Sequence, residues 1–192
     1  DARAPTSPLV RADDGFFYGT TKDGGEHGLG SVMRMDSSGN VETVYSFDGT
    51  AGARPYASLI QATDHDLYGT THGGGINGKG TVFRMTLSGD IVWVHSFSGP
   101  DGSYPEASLL QARDGDFYGT TVGVNFEMAR PYVFEERSWG WGTIFRIDAS
   151  GNITTLVIFM SGLPDLYFWG EMGSAPRSAL IEASDNNFFG AT

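Results

Sequence analysis

A chain of 192 residues with 23 acidic and 12 basic side chains has a net charge of -11, which excludes a nucleic-acid or anionic-membrane surface as its main partner. It has no cysteine, so disulfides and thiol chemistry are excluded, and it has no apolar run of about 18 residues that could span a membrane as a helix. With 28 glycines, 13% aromatic and 40% hydrophobic residues, it has the composition of a turn-rich β-protein able to build a core.

From the N-terminus, PTSPLVRADDGFFYGTT begins at Pro5 and returns as PYASLIQATDHDLYGTT at Pro55. It appears again as PEASLLQARDGDFYGTT at Pro105 and as PRSALIEASDNNFFGAT at Pro176. The first three copies are 50 residues apart and the fourth follows after 71, giving units 5–54, 55–104, 105–175 and an incomplete 176–192. Each full unit predicts four short strands, which in the second are Ser58–Ala62, Asp66–Thr71, Thr81–Met85 and Ile91–Phe97. Asp14–Gly15 and Asp114–Gly115 supply the positive φ of a tight hairpin between the first two strands. Ser38–Asn40, Ser88–Asp90 and Ser150–Asn152 do so between the third and fourth. Four antiparallel strands on a period of roughly 40–50 residues predict an all-β fold, a β-propeller built of four-stranded blades.

The residues Leu59, Ile60, Ala62, Tyr68–Thr71, Gly73–Gly75, Gly78 and Gly80–Phe83 carry a pattern that resembles the Gloeo/Verruco (GloVer-type) tandem repeat of bacterial exported and surface-anchored proteins. The resemblance covers nearly the whole chain. It implies a propeller-like, non-catalytic, extracytoplasmic module, placed in the periplasm, on the cell surface or in the medium. It transfers no catalytic residue.

The chain holds four copies of a blade's first two strands but only three of its last two, about three and a half blades. Closed propellers usually have four to eight. The expectation is either a piece of a longer chain or an open array whose terminal half-blades are covered by protein partners, because bare strand edges invite aggregation.

Up-and-down strand order puts the Asp-Gly and Ser-Gly turns on one face, here the top. The glycine loops and the links into the next proline fall on the bottom. Both irregularities of the third unit are bottom connections. Twenty residues separate Thr121 from Gly142 where 8 separate Thr71 from Gly80, and Phe159 to Pro176 is a step of 17 where Phe97 to Pro105 is 8. The insertions carry Phe126, Tyr132, Phe134, Trp139 and Trp141 in one, and Tyr167, Phe168 and Trp169 in the other. Such rings either pack on one another or form a binding surface, where Trp and Tyr commonly dominate affinity. They are the candidate partner-binding residues, with a protein partner favoured over a carbohydrate.

Other motifs read as frame. The loop THGGGINGKG lacks the following helix and the Lys-Ser/Thr pair of a phosphate cradle, so it predicts a turn that lets blades approach. Asp13, Asp14, Asp64, Asp66, Asp114, Asp116 and Asp185 read as turn chemistry, since a two-residue hairpin cannot supply six to eight oxygens to calcium. His27, His65, His72 and His95 show no metal-ligand spacing, and no cofactor site is expected. Glu127, Glu135, Glu136 and Glu171 lie in the insertions with no spacing that selects an acid–base pair. The expected function is a non-catalytic structural or partner-binding subunit, not an enzyme. A carbohydrate-binding module is the alternative, and a glycan-active enzyme using loop glutamates ranks below both.

Overall fold

A computed structural model describes residues 2–5, 7–123, 142–148, 150–159 and 176–191. Among them there is no helix. The first sheet holds β1 (Ala2–Pro5), β2 (Val10–Arg11), β3 (Phe17–Gly24), β4 (Ser31–Met35) and β5 (Val41–Ser46). The second runs β6 (Ile60–Gln61), β7 (Leu67–Thr71), β8 (Thr81–Met85), β9 (Ile91–Ser96), in that spatial order. The third repeats it with β10 (Leu110–Gln111), β11 (Phe117–Thr121), β12 (Thr143–Ile147) and β13 (Ile153–Ile158). A two-stranded half-blade, β14 (Ile181–Glu182) and β15 (Phe188–Phe189), follows. Every pairing is antiparallel, as blades of a β-propeller require.

Two details depart from the sequence reading. The opening strand of each unit is shorter than Ser58–Ala62, pairing only through Ile60 and Gln61. Ahead of Ile60 the backbone serves another blade, since the Ala57 carbonyl accepts the Thr20 hydroxyl at 3.1 Å. In addition, β1 pairs with Thr21–Gly24 of β3, an extra strand segment beside the first blade.

The Tyr-Gly-Thr-Thr strand explains itself residue by residue. The Tyr68 hydroxyl donates to Asp64 Oδ2 at 2.7 Å, tying the strand to its own hairpin. A Cβ at Gly69 would lie 2.6 Å from the Phe83 ring and 2.8 Å from Leu59 Cδ2, so only glycine fits. The Thr70 hydroxyl donates to the Ala107 carbonyl of the next blade at 3.1 Å. The Thr71 hydroxyl lies 2.8 Å from that of Thr81 on the adjacent strand. Equivalent bonds recur at Tyr18, Thr20 and Thr21 and at Tyr118, Thr120 and Thr121.

The core lies between blades. Ala12, Tyr18, Val32 and Phe47 of the first pack against Leu59, Leu67, Phe83 and Met85 of the second. Ala62, Tyr68, Val82 and Phe97 of the second meet Leu109, Phe117, Phe145 and Ile147 of the third in the same way. Tyr68 stacks on Phe117 at 4.1 Å and Tyr118 on Phe188 at 4.4 Å. On the top face, Gln61 accepts the Asp13 amide, Gln111 that of Thr63 and Glu182 that of Arg113.

A candidate active site at the blade boundaries

The residue following each Tyr-Gly-Thr-Thr and the residue following each proline sit together on the bottom face. In chain order the former are Lys22, His72 and Val122, and the latter include Tyr56, Glu106 and Arg177. The frame around them is fixed while these positions change chemistry. Between them stand Arg54 and Tyr104, both in the left-handed region at φ 55° and 57°. Side chains avoid that region at a cost of roughly 1–2 kcal/mol. Two hydrogen bonds hold each of them there. The Arg54 amide donates to the Leu29 carbonyl of its own unit at 2.8 Å, while its own carbonyl accepts the His72 amide of the next at 3.1 Å. Tyr104 is held likewise, by the Lys79 carbonyl at 2.8 Å and the Val122 amide at 3.2 Å.

His72 is the centre of this group. Its ring stacks on Tyr104 with centroids 5.0 Å apart and meets the edge of Tyr56 at 5.1 Å. Its Nδ1 is 3.2 Å from Glu106 Oε1. Nδ1 is buried, and no donor–acceptor pair there meets ideal hydrogen-bond alignment. The other oxygen of Glu106 accepts from Arg177 Nη1 at 3.2 Å. Lys22 Nζ stands 5.5 Å from the centre of the Tyr56 ring. Burial pushes the His72 imidazole below its ordinary pKa; Glu106 opposes this, while Arg54 and Arg177 add to it. The ring is therefore neutral near pH 7.

Two other His–carboxylate contacts lack this arrangement. His65 Nδ1 meets Asp13 at 2.5 Å, but their side chains are 75% and 62% exposed on a top turn. His95 spends Nε2 on Asp101 at 2.8 Å, and Asp101 also accepts from the amide and hydroxyl of Ser98, holding a tight turn. Among the described residues, His72 and His65 both have a carboxylate at Nδ1 and an Nε2 engaged by no hydrogen bond, and only His72 does so away from solvent, its side chain 29% exposed against 75% for His65.

The aromatic candidates Phe126, Tyr132, Phe134, Trp139, Trp141, Tyr167, Phe168 and Trp169 lie outside the described residues, as do Glu127, Glu135, Glu136 and Glu171. The glycine loop has a β-strand, not a helix, behind it, and Gly74, Gly75, Gly78 and Gly80 all take positive φ. Asp14, Asp64 and Asp114 each cap their own hairpin and accept a tyrosine hydroxyl. His72 was visible in sequence only as an isolated histidine. Glu106, Arg177, Tyr56 and Tyr104 were not singled out at all. The signal was present in the aligned units, as two positions whose residue type varies within a constant pattern.

Antiparallel blades built on one repeated unit define a tandem-repeat β-propeller protein. The chain belongs to the Gloeobacter/Verrucomicrobia repeat family, whose model matches residues 1–192. No curated protein matches the sequence. Among solved structures, it is similar to a structural-genomics target described as a gluconolactonase by protein family, at 13% identity and a TM-score of 0.58, covering 98% of this chain and 56% of that one. It is also similar to a gluconolactonase of Xanthomonas campestris, at 16% identity and a TM-score of 0.52, covering 95% and 52%. A third, a protein of unknown function from Dyadobacter fermentans, has 10% identity and a TM-score of 0.57, covering 96% and 60%. The chain thus spans between half and three fifths of these structures' lengths, and at such identities the likeness is one of fold.

These neighbours correct the expectation of a non-catalytic module that is not an enzyme. The frame is one that proteins described as gluconolactonases also use. The reason is physical: in a propeller, groups that meet come from different points of successive blades. His72 and Glu106 are 34 residues apart and Glu106 and Arg177 are 71 apart, so no local motif announces them.

Proposed function

We propose that this chain forms part of a β-propeller hydrolase that opens a small lactone or ester, with His72 as the general base. The observation that carries the reading is a neutral imidazole with its Nδ1 against Glu106 and its Nε2 unengaged among the described residues. A carboxylate at Nδ1 favours the tautomer with the proton there and leaves the Nε2 lone pair free. Nε2 takes a proton from water as the oxygen attacks the carbonyl carbon. The ring C–O bond then breaks, and the departing alkoxide recovers the proton from Nε2. Lactone and water become a hydroxy acid, with no other reactant. The names of the fold neighbours agree with this class of reaction. Extracytoplasmic placement, which the repeat resemblance implies, is part of the proposal; the structure has no helix among the described residues long and apolar enough to cross a membrane.

The test is hydrolysis of glucono-δ-lactone by the full chain, measured above the spontaneous rate. His72→Gln should lower kcat by about 10²–10⁴-fold, the usual range for a lost general base. Because the folded-state pKa of His72 is depressed, the base form persists below the ordinary histidine value of 6.5, and kcat/KM should hold its plateau to correspondingly acid pH. Unaltered turnover by His72→Gln, or none by the wild-type chain, would defeat the reading.

A further inference from the structure

We propose that the His72 site takes a substrate bearing an anionic group, a carboxylate or phosphate carried on the same small molecule as the scissile ester. The choice of ester rests on the hydrolase reading, whereas the anion preference does not. Three cations are tied to His72 through direct neighbours. The Arg54 backbone carbonyl accepts the His72 amide, and its guanidinium is near enough to help depress the imidazole pKa. Lys22 stands over Tyr56, whose ring edge meets His72. Arg177 holds Glu106, which faces Nδ1. Against them the group has, among the described residues, a single carboxylate, Glu106, already shared between Arg177 and His72. Asp23, next to Lys22, is on the opposite face of β3 because side chains alternate along a strand.

This local excess of positive charge stands out in a chain with 23 acidic and only 12 basic residues. Three arginines on the blade strands, Arg34, Arg84 and Arg146, are engaged by carboxylates of their own blade, by Glu42, by Asp64 and Asp66, and by Asp116. The Arg54 guanidinium has no such partner among the described residues. The positive φ of Arg54 and Tyr104 recurs at successive boundaries and belongs to the frame, whereas the buried His72 Nδ1 without an aligned partner does not repeat among the described residues.

Calorimetric titration of the full chain with D-glucuronate, D-glucose 6-phosphate and D-glucose tests the proposal. The two anions should bind at least about tenfold more tightly than glucose, with the preference falling as salt rises. The tighter of the two identifies carboxylate or phosphate as the group. The double variant Lys22→Gln/Arg54→Gln should erase most of the preference; thermal unfolding confirms that it folds. His72→Gln should keep the anion preference while losing turnover. Equal binding of glucose and both anions, or an unchanged preference in the double variant, overturns the proposal and leaves the hydrolase reading intact. Anion binding without any lactone turnover supports the proposal and removes the hydrolase reading.

Discussion

Tyr18, Tyr68 and Tyr118 each join a hairpin carboxylate to a blade interface. Burial, then the hydrogen bond to Asp14, pushes the Tyr18 hydroxyl up to about 12, and Tyr118 behaves in the same way with Asp114. Tyr68→Phe removes the hydroxyl that Asp64 accepts while keeping the ring on Phe117. It should cost about 1.5–3 kcal/mol in denaturant unfolding, the usual worth of a hydrogen bond to a charged partner. Phe189 occupies this position in the fourth copy, so the ring alone is compatible with the fold. Asp101 gives a pH test of opposite origin. Burial would raise its carboxyl, but hydrogen bonds from His95 and from the amide and hydroxyl of Ser98 hold it well below the ordinary 3.8. A folded pKa below the unfolded one means stability that is fully present above pH 3.8 and lost as pH falls through the folded value. Asp101→Asn should therefore destabilise the chain at neutral pH, with the difference from wild type shrinking below about pH 4. Chemical denaturation at a series of pH values reads this directly, and a gap that widens in acid would refute it.

At the level of the strand and turn, much was legible. The β8 strand was predicted at the bounds it has, because Thr81–Met85 stands between two glycine-bearing turns. What could not be read was the truncation of β6, because its missing bonds go to another blade rather than to its own. Glycines show the same divide between local and distant causes. Gly78 and Gly80 both have positive φ, at 67° and 89°, but their surroundings differ. A Cβ on Gly78 meets nothing within 4 Å, whereas one on Gly80 would lie 2.4 Å from the Thr71 carbonyl and 2.7 Å from Pro105 Cδ. Gly78→Ala should cost about 1 kcal/mol, the strain of the left-handed conformation. Gly80→Ala should cost at least twice that, about 2–4 kcal/mol, because backbone must move. Equal melting temperatures for the two would show that the next blade's proline is not seated against Gly80.

For the whole molecule, stability resides in boundaries, as in other repeat proteins whose units contact only their neighbours. Phe83 is fully buried between the first two blades, 5.4 Å from Phe47, and Phe145 repeats the role one boundary later against Phe97 at 5.2 Å. Phe83→Ala should cost about 3–5 kcal/mol. Amide exchange should then rise in the blades on both sides of that boundary, more than around Phe145. The repeat period made this architecture readable, since copies aligned on proline place every core residue at once. The candidate site was not readable from spacing, because its groups come from four units and from positions at which the units disagree.

The seating of proline on glycine has a consequence for how such a chain can change. Gly30 faces Pro55, Gly80 faces Pro105 and Gly142 faces Pro176, each at a distance that admits no side chain. Both halves of this joint are carried by every full unit, one near its start and one in its middle. A duplicated unit is thus born able to dock on its predecessor and to receive a successor, without any compensating substitution. Inheritance of shape is separated from choice of chemistry: new copies bring fresh versions of the two variable seats, and selection can assign them one at a time.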